Sequence, residues 1–180
     1  MSDLQIDADG HLRHLLTLDG LGRTRITALL DRASDLRANF RADAALPPLL
    51  RGRTLVNLFL EPSTRTRSSF ELAARRLGAI VVNFDIARSS TSKGETLEDT
   101  LATLEAMATD AFVVRHKENG TPARLARHAR KAAIVNAGDG AHEHPTQGLL
   151  DMLTIRDHTG RIDGLKVVIC CDAGLRCAET

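Results

Sequence analysis

The chain reads as an α/β protein, a parallel sheet with helices on both faces, and two observations predict this. Short apolar runs alternate with amphipathic stretches at intervals of about 20 to 30 residues, the pattern of strand and crossover helix in a right-handed parallel sheet. The polar constellations, moreover, all follow the ends of the apolar runs, and in such sheets ligands bind beyond the carboxyl ends of the strands. Ser63 to Arg67 come after the first run and Ser89 to Lys93 after the second. Arg115 and His116 end the third, and His142, Glu143 and His144 follow the fourth. Unrelated surface features have no reason to share one edge.

Taken in order, residues 1–17 show no firm period and read as a leading arm, with Asp19 as a helix cap. Ile26, Leu29, Leu30, Ala33, Leu36 and Phe40 fall at helical spacing, which predicts an amphipathic helix over about 20–40. Pro47-Pro48 breaks the chain, and Arg51-Gly52-Arg53 leads into a first strand, Thr54 to Leu60. After the turn Glu61 to Arg67, Phe70, Ala73, Ala74 and Leu77 form the inner face of a helix that Gly78 closes. A second strand is expected over Ala79 to Phe84. A loop follows over Ala87 to Gly94, then a helix from Glu95 bearing Leu97, Leu101, Leu104 and Met107. Asp110 to Arg115 reads as a third strand, Pro122 to Arg130 as a basic helix, and Ala132 to Ala137 as a fourth strand. Gly138-Asp139-Gly140 reads as a turn, Pro145 to His158 as a helix, and Leu165 to Cys170 as a fifth strand.

The stretch Glu61 to Arg67 organises the chemistry. A helix start leaves backbone N–H groups without partners and carries partial positive charge, so it suits an anion. Ser63, Thr64 and Thr66 add hydroxyl donors, and Arg65 adds a planar fork matched to phosphate or carboxylate. The plainer reading is an N-cap beside surface arginines. Three hydroxyls alternating with two arginines exceed what a cap requires. No G-x-G-x-x-G follows a strand and no G-x-x-x-x-G-K-[ST] occurs, so a small phosphorylated metabolite fits better than a dinucleotide or ATP.

Composition narrows the classes. The chain of 180 residues, 43% hydrophobic, is long enough for one domain with a real core, or one and a part. With 24 basic against 23 acidic residues there is no global field for nucleic acid or a membrane surface, so an anion site must be a local cluster. The absence of Trp and Tyr removes the stacking platforms of single-strand binders. No apolar run reaches 18 residues and the first ten are polar and acidic, so the expected compartment is the cytoplasm. Cys170, Cys171 and Cys177 form an odd cluster at one end, neither a disulfide framework nor a zinc set. His142 with His144 could be a metal pair, but no matched carboxylate or thiol spacing accompanies them. Lys93 alone could be a solvated loop residue, and Arg115 could pair with Glu118 at the surface. Arg75, Arg76, Arg124, Arg127, Arg130 and Lys131 read as solvated faces.

Four motifs in order carry a resemblance: Phe59 to Glu71 with its Ser-Thr-Arg-Thr-Arg turn; Lys93-Gly94-Glu95-Thr96-Leu97 with Asp99-Thr100; Val114-Arg115-His116; and His144-Pro145-Thr146-Gln147. Together they resemble the aspartate/ornithine carbamoyltransferase family, over about residues 15–169. The Ser-x-x-x-Lys-Gly-Glu-Thr pattern at Ser89 to Thr96 belongs to the aspartate branch, the catalytic chain of aspartate carbamoyltransferases. The resemblance implies transfer of a carbamoyl group from carbamoyl phosphate to L-aspartate in pyrimidine synthesis, with no metal and no organic cofactor. Ornithine carbamoyltransferase is the near alternative, and a non-catalytic binding or oligomerising fragment the further one. Carried over, Ser63, Thr64, Arg65 and Thr66 would bind the phosphate with Arg115 beside them, and His144 and Gln147 would hold the carbamoyl end. Arg65, Thr66 and His144 would act in catalysis. Ser89 and Lys93 would reach a neighbouring site in a homotrimer, and a regulatory chain is a further partner.

The same resemblance implies a carbamoyl-phosphate-binding domain over 1–145, a linking helix over 146–163, and the opening strand and a divergent stub of an aspartate-binding domain over 164–180. Family members run to roughly 300 residues, so a second domain is expected to be missing. After Val167-Val168-Ile169 the family has Gly-Asp and, five residues past the Asp, an arginine that contacts aspartate. Here Cys171 stands for the glycine and Cys177 for the arginine, with Arg176 one residue early. A truncated or frame-shifted reading is the expected origin of this tail, and sequencing beyond codon 180 tests it. The exposed linking helix and fifth strand are expected to promote aggregation.

Overall fold

A computed structural model of the chain describes residues 2–41, 46–84 and 95–169. The elements in order are α1 (Ser2–Gln5), α2 (Gly22–Arg41), β1 (Thr54–Phe59), α3 (Thr64–Arg76), β2 (Ile80–Phe84), α4 (Leu97–Ala106), β3 (Ala111–His116), α5 (Thr121–His128), β4 (Ala133–Asp139) and α6 (Pro145–Thr159). The four strands form one parallel sheet in the order β2-β1-β3-β4.

Strand alternation sorts the core onto two faces. Val56, Leu58, Phe112, Val114 and Ile134 point one way and pack with Leu101 of α4 and with Ala123, Leu125 and Ala126 of α5. Leu55 and Val81 point the other way and pack with Ala74 of α3. On that second face Asn57, fully buried, donates from Nδ2 to Asn83 Oδ1 at 2.9 Å, and Asn83 Nδ2 donates to Glu71 Oε2 at 2.8 Å. α6 packs on β4 and on α2, an association strengthened by Arg156–Asp31 at 2.6 Å and by Arg37–Asp157.

Three expectations are corrected. The predicted fifth strand is absent: residues 165–169 form no strand, and Val167, Val168 and Ile169 are 59%, 83% and 60% exposed. A strand needs a neighbour, and none among the described residues pairs with this run; the outer edge of β4 is taken by the leading arm. Leu15 N donates to Ile134 O and Asn136 N to Leu15 O, both at 2.8 Å, as Leu15 pairs with Val135 in parallel.

The arm is thus structure, not a loose leader. Gln5 Oε1 accepts from Leu16 N at 2.6 Å and Thr17 N at 3.0 Å, and His14 Nδ1 accepts from Ile134 N at 2.9 Å. Asp19 does not cap α2, which starts at Gly22. Finally, α3 starts at Thr64, so Thr64, Arg65, Thr66 and Arg67 are its first turn and not a turn ahead of it, with Arg67 N donating to Ser63 O at 3.1 Å.

Candidate functional site

The carboxyl ends of β1, β3 and β4 lie side by side, because the strands are parallel and adjacent. Leu60 N donates to Arg115 O at 2.9 Å, tying the segment after β1 to the end of β3. From that edge the chain enters α3 through Ser63, α5 through Gly120 and α6 through His144.

None of these three helix starts has a side-chain cap, Gly120 having no side chain to offer. Ser63 is the N-cap of α3 and His144 that of α6, and neither side chain accepts a cap hydrogen bond. Their first-turn N–H groups, with the positive end of each helix dipole, are therefore donors that no cap side chain consumes. α6 begins with Pro145, whose lack of an N–H costs nothing there. α4, by contrast, carries a full capping box between Thr96 and Asp99.

Arg115 is where the strand ends meet. The β3–β4 register shifts between Val114 and His116, an irregularity of the kind that re-aims a side chain. The Arg115 side chain, only 15% exposed, turns inward across the edge. Its Nη1 donates to Ala137 O at 3.0 Å and lies 3.5 Å from His144 Nε2, while Nε lies 3.6 Å from Glu61 Oε2. Nε is buried without a hydrogen bond, so the Glu61 contact is an ion pair beyond bonding distance.

Arg115 can only donate, so the contact is a hydrogen bond when His144 Nε2 presents its lone pair; Nδ1 lies 3.3 Å from Thr146 Oγ1. Gly138 makes this arrangement possible. A Cβ there would lie 2.6 Å from Arg115 Nη1, and its φ of +128° is one that L side chains rarely adopt. The alternative of a surface pairing between Arg115 and Glu118 is not what the structure has. Glu118 instead faces Arg124, which also pairs with Glu98 at 2.9 Å and links α5 to α4.

The predicted residues divide as follows. Ser63, Thr64, Arg65 and Thr66 stand at the start of α3, Arg115 and His144 are in contact, and Gln147 lies in the first turn of α6, where its Nε2 donates to Asp151 Oδ1 at 2.9 Å. Ser89 and Lys93 lie outside the described residues. His142 turns from His144 to Asp139, its Nδ1 3.3 Å from Oδ2, so the two histidines face different partners and do not form a pair.

Two residues escaped the sequence reading as site members. Glu61 was quoted only as motif, and Asp139 only as turn. A carboxylate flanking an anion-binding turn was the available signal for the first. A cavity of about 910 Å³ opens at the opposite edge, lined by strand-start residues such as Thr54, Ala111 and Ala133, and it contains none of these groups. No helix among the described residues is long and apolar enough to cross a membrane.

Helix starts gathered at the carboxyl edge of a parallel sheet define an α/β domain of the kind that suits an anionic ligand there. The family description "Aspartate/ornithine carbamoyltransferase, carbamoyl-P binding domain" matches residues 13–157. The chain belongs to that family.

Among its relatives, the aspartate carbamoyltransferase catalytic subunit of Gluconobacter oxydans is 56% identical over 162 residues, covering 90% of this chain and 51% of that protein. The corresponding subunit of Xanthomonas campestris pv. campestris is 56% identical over 171 residues, covering 94% and 54%. Aspartate transcarbamoylase from Trypanosoma cruzi, solved in complex with carbamoyl phosphate and aspartate, superposes with a TM-score of 0.78 at 42% identity, covering 84% of this chain and 46% of that one. The catalytic subunit of M. Jannaschii aspartate transcarbamoylase gives 0.77 at 39%, covering 86% and 50%. The chain thus spans about half the length of the relatives it matches.

Proposed function

We propose that this chain is the carbamoyl-phosphate half of an aspartate carbamoyltransferase, whose reaction moves the carbamoyl group of carbamoyl phosphate to the amine of L-aspartate and releases phosphate. The observation that carries the reading is Arg115, which joins Glu61, Ala137 and His144 beside the uncapped start of α3.

In this reading the N–H groups and hydroxyls of Ser63, Thr64 and Thr66, with the Arg65 guanidinium, hold the phosphate, and Arg115 neutralises it from the β3 side. His144 and Gln147 hold the carbamoyl end. Attack of a neutral amine on the carbonyl carbon places negative charge on its oxygen, and donors from Arg65, Thr66 and His144 stabilise that charge more than the ground state. Arg115 Nη1 faces His144 Nε2, and a phosphate would compete for Arg115 and free the imidazole to turn a donor towards the carbonyl. Phosphate then leaves and accepts the proton of the amine. Orientation and electrostatics account for the rate, and no protein nucleophile takes part.

The assembled enzyme is a homotrimer in which Ser89 and Lys93 enter a neighbouring site, with a regulatory chain as a further partner. Aspartate binds to a second domain that begins near residue 164, and the protein works in the cytoplasm. Ornithine is the alternative acceptor.

Assay with radiolabelled carbamoyl phosphate and either amino acid separates these readings. Product from aspartate supports the first and product from ornithine moves the branch. Binding of carbamoyl phosphate without product favours a non-catalytic binding or oligomerising module. Arg65→Ala is expected to weaken carbamoyl phosphate about tenfold to a hundredfold by calorimetry, the loss of a charge-assisted bidentate contact. Unchanged affinity would overturn the assignment of the α3 turn.

A further inference from the structure

We propose that Asp139 is a positioning residue for His144, acting through the closed loop 139–143; the role in carbamoyl binding rests on the function proposed above. Asp139 ends β4 and is 1% exposed. A buried carboxylate costs several kcal/mol unless it is hydrogen-bonded, so its partners define its purpose. Oδ1 accepts from Gly120 N at 2.7 Å, at the entrance to α5, and Oδ2 faces His142 Nδ1 at 3.3 Å. Neither oxygen touches the α3 turn or Arg115 in any hydrogen bond or ion pair among the described residues.

The backbone closes the same loop. Asp139 N donates to Glu143 O and His142 N donates to Asp139 O, both at 2.9 Å. The neighbouring segments hold it from outside. Gly140 N donates to His116 O at 2.8 Å, Ala141 N to Asn119 Oδ1 at 3.1 Å, and Thr17 Oγ1 of the arm to Glu143 Oε1 at 2.9 Å. At Gly140 a Cβ would lie 1.9 Å from Asn119 Oδ1, so the loop seats flush against the β3–α5 connection.

The residue after this loop is His144. The fixed loop sets where the His144 backbone leaves it, and from there the ring lies with Nε2 3.5 Å from Arg115 Nη1. The carboxylate supplies what a plain turn residue does not, a single anchor that spans α5 and His142 together.

The test uses the ¹⁵N-labelled 180-residue chain, read first without ligand. Imidazole ¹H–¹⁵N spectra should report the Nδ1–H tautomer for His144. In Asp139→Ala that signature should move to the average of the two tautomers while His14, bonded to Ile134 N, keeps its own. An unaltered His144 signature in Asp139→Ala overturns the proposal.

In the second readout, Asp139→Ala should weaken carbamoyl phosphate about tenfold and inorganic phosphate, held by the α3 turn, less than about twofold. Asp139→Asn, which keeps an acceptor for Gly120 N, should recover most of the loss. Equal loss of both ligands, or no rescue by Asn, would mean a merely structural role. Should Asp139→Ala lose its amide dispersion, Asp139→Ser, too short to span Gly120 and His142, is read the same way. A wild-type chain that binds neither ligand removes the carbamoyl phosphate reading, while the ligand-free spectra still decide the positioning.

Discussion

Residues 12–17, with three apolar residues in six, and residues 165–169, with four in five, are both short stretches, and they differ in what their backbones find. The first contributes Leu16, 1% exposed, to the main core and bonds to β4 on both sides of Leu15. The second has Val168 at 83% exposure and no strand partner. The more apolar stretch is the exposed one, so apolar content does not decide the outcome. Buried backbone must be paired, and the arm brings its own acceptors in Gln5 Oε1 and His14 Nδ1 to do it.

The largest test of that contrast is Leu16→Ala. A cavity at a fully buried site should cost about 2–5 kcal/mol, read as a lowered urea midpoint. A cost below 1 kcal/mol would mean that the arm is not integral to the core.

Next comes acid. Burial, with the nearby Arg13 charge, lowers the His14 pKa from 6.5 to about 4. The unfolded chain therefore binds the proton more readily than the folded one. The stability due to neutral His14 is fully present above pH 6.5 and is lost as pH falls to about 4. Over that window the loss is on the order of 3 kcal/mol. His14→Gln, which keeps an acceptor for Ile134 N, should flatten the slope in pH-dependent unfolding. An unchanged slope would assign the acid sensitivity elsewhere.

The smallest effect is expected at the other end. Val168→Lys should move stability by no more than about 0.5 kcal/mol and raise solubility by breaking an exposed apolar run. Destabilisation as large as at Leu16 would erase the distinction between the two stretches.

The same contrast explains what could be read from the sequence. Helices and strands with a clear period were legible to within a few residues: β1, β2, β3, β4, α4, α5 and α6 all occur where periodicity puts them. The fifth strand failed because a run such as Leu165 to Ile169 states its wish for burial but not whether a sheet edge is open. The arm was legible as an arm but not its pairing with β4, because its order comes from side-chain acceptors and one parallel bridge, which leave no period.

At the site, the nearness of Arg115 and His144 was legible from their places after successive strands, and the two side chains lie 3.5 Å apart. Glu61 and Asp139 were not legible as site members. Their roles depend on which distant group each carboxylate meets, Arg115 for one, Gly120 N and His142 for the other.

Gly138 carries a last consequence. Any substituent there would collide with the tip of Arg115, and the tip of a long side chain is the easiest thing in a protein to displace. The guanidinium would swing away at the expense of ligand capture, and the backbone at φ +128° would add a loss of stability of its own. An alanine scan, which infers purpose by trimming atoms, would at this position be adding one, and it would report as a key residue a place whose contribution is an absent methyl group.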